Sequence, residues 1–436
     1  MTSDPAGSTI LFRLHAVLVP TIIFCAGCYS PTASYEPNQL LKARMESDLQ
    51  VDLSAIELQT QSALYDLFGT PDDPHWPEVL VSDPRCVSLI DTGALDRAAG
   101  PVRRDAKLVE RGLYRKHCAQ CHGITGDGTG PTAALLNPYP RDFRRGSFKF
   151  KSTIQAAKPT LADLVRTIEY GLAGTSMPAM SNLIHGAHYD NDIPILAAYV
   201  RFLSIRGEVE RRLMMELVPS IDLDAGQKLY DVQLKESHPS KFTAQKSKVD
   251  EIVVKVAKAW IEPERSEIVA VDELRFDVNA MQDDALRDKF LHSATRGRQL
   301  FQGEVAACSQ CHGKAGDGHG KLVDFDEWTK DWTIRAGIDP KDAKQWKPLK
   351  KLGLLKPMSS SARNLQLGVF RGGSSPEALH RSIVHGIDGT PMPAAARQPS
   401  VKNGLTESQI WDLVNYCLAL GAPELRKSLE TYHGEL

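Results

Sequence analysis

The chain has 436 residues, of which 42% are hydrophobic and 24% charged, and its formal net charge at pH 7 is −2. That length fits two to three globular domains with cores of their own. The near-neutral balance excludes a strongly basic nucleic-acid surface and gives no global steering towards a charged partner.

The first informative segment is an apolar run from Leu14 to Cys28, preceded closely by a single cation, Arg13. It is too short to span a bilayer comfortably. It ends Cys25-Ala26-Gly27-Cys28, with small residues just before a cysteine, and so resembles a bacterial lipoprotein signal, although Cys25 stands where an aliphatic residue is usual. The expectation is a signal peptide over 1–27 and a lipidated Cys28 that anchors an exported protein on the periplasmic side of a membrane. The alternative is an uncleaved anchor helix. Residues 28–95 then read as a tether (Ser30-Pro31-Thr32-Ala33-Ser34), a helix near 53–68 and a Pro/Asp-rich stretch over 69–77. This arm covers either the domains that follow or a partner.

Cys118-Ala119-Gln120-Cys121-His122 follows, and the same pattern returns as Cys308-Ser309-Gln310-Cys311-His312. Cys-x-x-Cys-His is the attachment signature of a c-type haem. Two thiols at that spacing add to the two vinyl groups of one porphyrin, and the histidine beside them ligates the iron. Cys-x-x-Cys also serves zinc and dithiol sites, but a zinc ribbon needs a second ligand pair nearby, and none is present. Each copy also opens a longer shared block, with Gly123-x-x-Gly126-Asp127-Gly128-x-Gly130 matching Gly313-x-x-Gly316-Asp317-Gly318-x-Gly320. Two haem c groups are expected.

A second shared block, 160–178 and 375–393, aligns without a gap. It opens as a helix: Thr160-x-x-Asp163 forms a capping box, Ser375-Pro376 sets proline at the first helical position, and Gly171 or Gly386 stops it. The helix runs into Gly174-Thr175-x-Met177-Pro178 and Gly389-Thr390-x-Met392-Pro393. A thioether is a soft donor that suits ferrous iron, so Met177 and Met392 are the expected sixth ligands. Met180 competes with Met177, but its counterpart in the second unit is Ala395. His185 and His188 are weaker candidates, and His380 and His385 read as packing or surface residues. Closing helices follow, with stripes Ile193, Leu196, Val200, Leu203 and Ile410, Leu413, Val414, Cys417; the second is capped by Thr406-x-x-Gln409 and stopped at Gly421.

These motifs together resemble class I cytochrome c domains, present twice, over 96–206 and 291–425. The resemblance implies an all-α fold, a small helical shell around each covalent haem. In that family a proline after the haem motif offers its carbonyl to the Nδ1 proton of the ligating histidine. Pro131 matches that position, whereas the second unit has Lys321 there, so the resemblance implies two haems that differ in potential. Arg141-Asp-Phe-x-x-Gly-x-Phe148 parallels Arg363-Asn-Leu-x-x-Gly-x-Phe370. Arg141 and Arg363 are candidate partners of haem propionates or of surface carboxylates, and Phe148 and Phe370 are expected in the haem pockets.

Three segments lie outside the resemblance. Residues 207–290, with the β-branched run Ile252-Val253-Val254-Lys255-Val256, are expected to fold as helices or a small hairpin that braces the two units. An insertion at 322–358 holds Trp328, Trp332 and Trp346 among Lys347, Lys350 and Lys351. It reads as a loop with tryptophan as its small core, and otherwise as a docking surface for an acidic partner. Residues 426–436 form a tail. Cys86 and Cys417 remain, and the pattern places neither beside the other. The functional expectation is an electron carrier between redox proteins, donors and acceptors of a respiratory chain. The alternatives are a cytochrome subunit of a larger membrane complex, or a dihaem enzyme such as a peroxidase or a thiosulfate-oxidising cytochrome.

Overall fold

The computed structural model describes residues 32–184, 189–267, 276, 281–395 and 404–432; the Leu14–Cys28 run, His185 and His188 lie outside them. The described chain is helical, apart from two antiparallel ladders of two residues a strand, Arg103–Arg104 with Glu110–Arg111 and Asp324–Phe325 with Ser359–Ser360. Among the described residues no helix is long and apolar enough to cross a membrane.

The first unit is built on helices Leu113–His117, Ala119–His122, Leu161–Tyr170 and Tyr189–Arg212. Both halves of the capping box form: the Thr160 side chain accepts from the Asp163 N–H, and the Asp163 carboxylate accepts from the Thr160 N–H. The apolar stripe then buries Leu164 and Ile168, and the long helix buries Ile193, Leu196, Val200 and Leu203. This core is larger than the motifs suggest. The arm lies over the first unit, with the Ser54–Phe68 helix contributing Ile56, Leu64 and Phe68 to one continuous cluster. The β-branched run is helical, within Pro239–Lys258, and Val249, Val253 and Val256 join the same cluster. Helix wins there because the i, i+4, i+7 spacing puts these three on one face.

The second unit has its own core, carried by Asp284–Gln302 and Glu407–Gly421, with Pro376–His385 beside them. The two long helices cross at Gly297, where a Cβ would run into the Asp412 carbonyl. Polar groups finish the crossing: Ser293 donates to Asp412 at 2.6 Å, Arg296 donates twice to the same carboxylate, and Asn415 donates to Ser293. Cys86 sits in the first core and Cys417 in the second, and both are free thiols.

The 322–358 insertion is closed at its base by the second ladder. Its tryptophans form a small core, Trp332, Trp346 and Leu354, against which Trp328 and Leu40 of the arm pack. Asp331 on it pairs with Arg44, Arg145 and Arg211 of the first unit at 3.5–3.9 Å. The insertion is therefore a strap that ties the second unit to the first. Lys151 and Asp388, both half-buried, pair across the units at 2.9 Å, and Asp388 also accepts from the Ala156 N–H.

Gly297→Ala removes the space that the helix crossing needs. It is expected to destabilise the second unit by about 1–3 kcal/mol through overpacking, read as a lower urea midpoint of its unfolding transition.

Candidate haem sites

In each unit the Cys-x-x-Cys-His segment is one turn of helix, pinned by the glycine-rich loop that follows. The Gly128 N–H donates to the His122 carbonyl at 2.9 Å, and Gly318 does the same for His312 at 2.8 Å. Gly130 comes so close to the turn that a Cβ would sit 2.6 Å from the Ala119 and Gln120 carbonyls. The loop then binds the segment behind it, Phe143 N–H to the Gly126 carbonyl and Leu365 N–H to the Gly316 carbonyl, both at 2.7 Å. That pairing brings an arginine carbonyl under each histidine ring. His122 Nδ1 lies 3.1 Å from the Arg141 oxygen, and His312 Nδ1 lies 3.0 Å from the Arg363 oxygen.

This bond corrects the assignment to Pro131. Pro131 is exposed on the turn after the motif, and the Arg141 carbonyl takes the ring proton in its place. The physical reason is the Phe143–Gly126 hydrogen bond, which lays residues 141–143 along the loop. The same arrangement recurs at Arg363, so the contrast between Pro131 and Lys321 gives no ground for different potentials.

A carbonyl only accepts, so each Nδ1 carries the proton and each Nε2 keeps its lone pair. Burial pushes the His122 imidazole down to about 4, against the pull of its bond to Arg141, and lowers His312 as well. Both rings are therefore neutral at pH 7, the state in which imidazole binds a metal. Phe143 stacks on His122 with ring centroids 4.6 Å apart and holds its plane. Desolvation raises the Cys118 thiol to about 12 and the Cys308 thiol to about 11.

The methionine loops are built alike. The Met177 N–H donates to Thr175 Oγ1 at 3.1 Å, Thr175 Oγ1 donates to the Leu172 carbonyl at 2.7 Å, and the Leu172 N–H donates to the Met177 carbonyl at 3.1 Å. Met392, Thr390 and Ile387 repeat these three bonds at 3.2, 2.8 and 3.2 Å. The loop folds back on the helix end so tightly that a Cβ on Gly171 or Gly386 would meet the following proline's carbonyl carbon, Pro178 or Pro393, at 2.5 Å. Met177 and Met392 are half-buried, whereas Met180 is only 3% exposed and belongs to the core.

Residues 294–421 match the cytochrome c family, and residues 110–200 match the family described as cytochrome c oxidase, cbb3-type, subunit III. The chain carries two cytochrome c domains in tandem. Each match spans one Cys-x-x-Cys-His motif, so the chain holds two covalently bound c-type haems and its chemistry is haem-based electron transfer. Among the described residues no group of three or more His, Cys, Asp or Glu gathers as a metal cluster would need. No curated protein matches the chain. A chain of the reducing HAO-like protein complex of Kuenenia stuttgartiensis is 19% identical, over 71% of this chain and 94% of that chain, with a TM-score of 0.39, too loose a likeness to inform fold or function.

The residues present fit the haem. Arg141 Nη2 is buried and finds no hydrogen-bond partner among the described residues, as does Arg371 Nε. Such orphaned donors call for an anion. Sequence reasoning singled out the cysteines, histidines and methionines, and it named both arginines for their side chains. It missed that their carbonyls hold the histidines. The recurrence of arginine at one position in both repeats was the available signal.

Met180→Ala is expected to cost about 2–5 kcal/mol of stability through a core cavity. The visible spectrum of both haems should stay as in the parent protein; a changed haem spectrum would put Met180 at the iron.

Proposed function

We propose that this dihaem cytochrome passes single electrons between respiratory redox proteins through two six-coordinate irons, with His122 and Met177 on one and His312 and Met392 on the other. The haem supplies a one-electron couple. The observation that carries the reading is the identical three-bond lock on Met177 and Met392 in units that share each of the other haem motifs. A methionine whose N–H and carbonyl are both held projects its side chain from a fixed backbone, which favours a permanent ligand over a mobile one.

The protein's part is to hold the irons closed and dry. The histidine is fixed by the arginine carbonyl and kept neutral by burial. The arm and the Pro239–Lys258 helix extend the core around the first site, and the strap joins the second unit to it. Filled axial positions leave oxygen or peroxide no place to bind, so the reading favours a carrier over a peroxidase.

Location belongs to the same proposal. Haem c attachment takes place outside the bacterial cytoplasm, and Cys28 at the end of its apolar run supports a lipid anchor that holds the protein at the periplasmic face of a membrane. A second reading, a cytochrome subunit of a larger membrane-bound oxidoreductase, is favoured by the match of the first unit to a family named as an oxidase subunit. Co-purification with a membrane complex after mild detergent extraction distinguishes it from a free carrier.

Carbon monoxide titration of the reduced protein tests the ligation. Neither haem is expected to bind it in the parent protein, and Met177→Ala is expected to open one haem to it, lower that haem's potential and leave both haems covalently attached. Ready binding to the unaltered protein would overturn the carrier reading.

A further inference from the structure

The two haem units face each other across a cleft lined from both sides, by Lys149, Lys151 and Arg166 of the first and by Gly372, Arg381 and Asp388 of the second. The contacts pair like with like. Two residues past the shared Arg-x-x-x-x-Gly-x-Phe block Phe150 and Gly372 occupy matched positions, and a Cβ on Gly372 would lie 3.0 Å from the Phe150 ring. Arg166 and Arg381, also matched, are close enough to repel. The junction is thus an approximate two-fold between the repeats.

The arginines that hold the histidines cross this two-fold. Arg363 donates through Nη2 to the Ala173 carbonyl at 3.0 Å and its guanidinium rests on Gly174, in the loop that carries Met177. Arg141 reaches the other way: a Cβ on Gly389, in the loop that carries Met392, would sit 3.3 Å from Arg141 Nη1. Each arginine therefore touches two haem sites. Its carbonyl holds the histidine of its own unit, and its side chain lies on the methionine loop of the other.

Lys149 and Arg371, matched just past the same block, stand beside them, and burial together with Arg141 pushes Lys149 down to about 8. None of these four cations has an ion pair among the described residues, and Arg363 bonds only to carbonyls. Three carboxylates attract Arg141 from a distance, and none of them bonds to it: Asp142 holds Arg144 with two bonds of 3.0 Å, Asp326 accepts from the Thr329 N–H, and Asp388 pairs with Lys151. The neighbouring Arg145 repels it. Guanidinium groups that no carboxylate bonds, gathered at a partly buried seam, favour an anion between them.

We propose that the junction is one shared propionate site, in which Arg141 serves the haem of the second unit and Arg363 the haem of the first, with Lys149 and Arg371 completing the seat. Each cation then favours the reduced state of the opposite haem, because reduction removes one positive charge from the iron. The two potentials are set in common. This rests on the reading that both units hold His/Met haems.

The test uses the full dihaem protein. Arg363→Gln changes a partly exposed side chain and leaves its carbonyl in place, so the variant is expected to fold with both haems attached. Met177→His, made alone and combined with it, marks which of the two potentials belongs to the first unit. Spectroelectrochemistry should show Arg363→Gln weakening reduction of the first unit's haem by up to about tenfold, about 60 mV for a one-electron couple, and shifting the second unit's haem less. Arg363→Lys should restore most of the loss. If only the second unit's haem shifts, or neither does, the shared site is wrong. Loss of the methionine–iron charge-transfer band in the unaltered protein would instead overturn the ligand reading, which keeps the two failures apart.

Discussion

Each haem site depends on one hydrogen bond, from the ring Nδ1–H of the motif histidine to a carbonyl of the arginine behind it. A covalent tether alone leaves the imidazole free to rotate and to take a proton. The carbonyl removes the first freedom, while the bond itself favours the charged ring. It fixes the tautomer, so the lone pair stays on Nε2, and it orients the ring. Burial completes the effect by disfavouring the imidazolium. The glycine-rich loop makes this possible, because its carbonyls at Gly126 and Gly316 bring the arginine segment into place.

From that bond the rest of the first unit follows outward. The segment that supplies the carbonyl continues into Phe143, which stacks on the histidine, and Phe148, which packs on Phe143 and Trp260. Trp260 lies just beyond the Pro239–Lys258 helix and donates to Glu208 at 2.8 Å. Glu208 in turn pairs with Lys158. The inter-unit segment is thus part of the wall behind the first site. The second unit has a smaller wall and relies on the Gly297 crossing and on the strap.

The duplication also explains the geometry between the units. Two copies of one block, docked by the same surface, put equivalent residues opposite each other, as with Arg166 and Arg381 or Phe150 and Gly372. Like charges meet at such a seam, which is unfavourable unless something anionic lies between them. Asp388, which pairs with Lys151 at 2.9 Å, places one carboxylate there.

Local chemistry determined what could be read from the sequence. Cys-x-x-Cys-His fixes a haem because its spacing is set by the porphyrin itself. The capping residues Thr160, Asp163, Thr406 and Gln409 fix helix starts because each satisfies N–H groups within one turn. The repeat favours Met177 over Met180 as the ligand, and Met180 is buried in the first core. Tertiary structure alone decided which carbonyl holds each histidine, because that contact spans 19 residues in one unit and 51 in the other. It also decided that the arm and the 207–267 segment join the first core, that Cys86 and Cys417 lie in separate cores, and that the arginines cross between units. Those outcomes depend on how apolar faces share one interior, and no single stretch of chain carries that information.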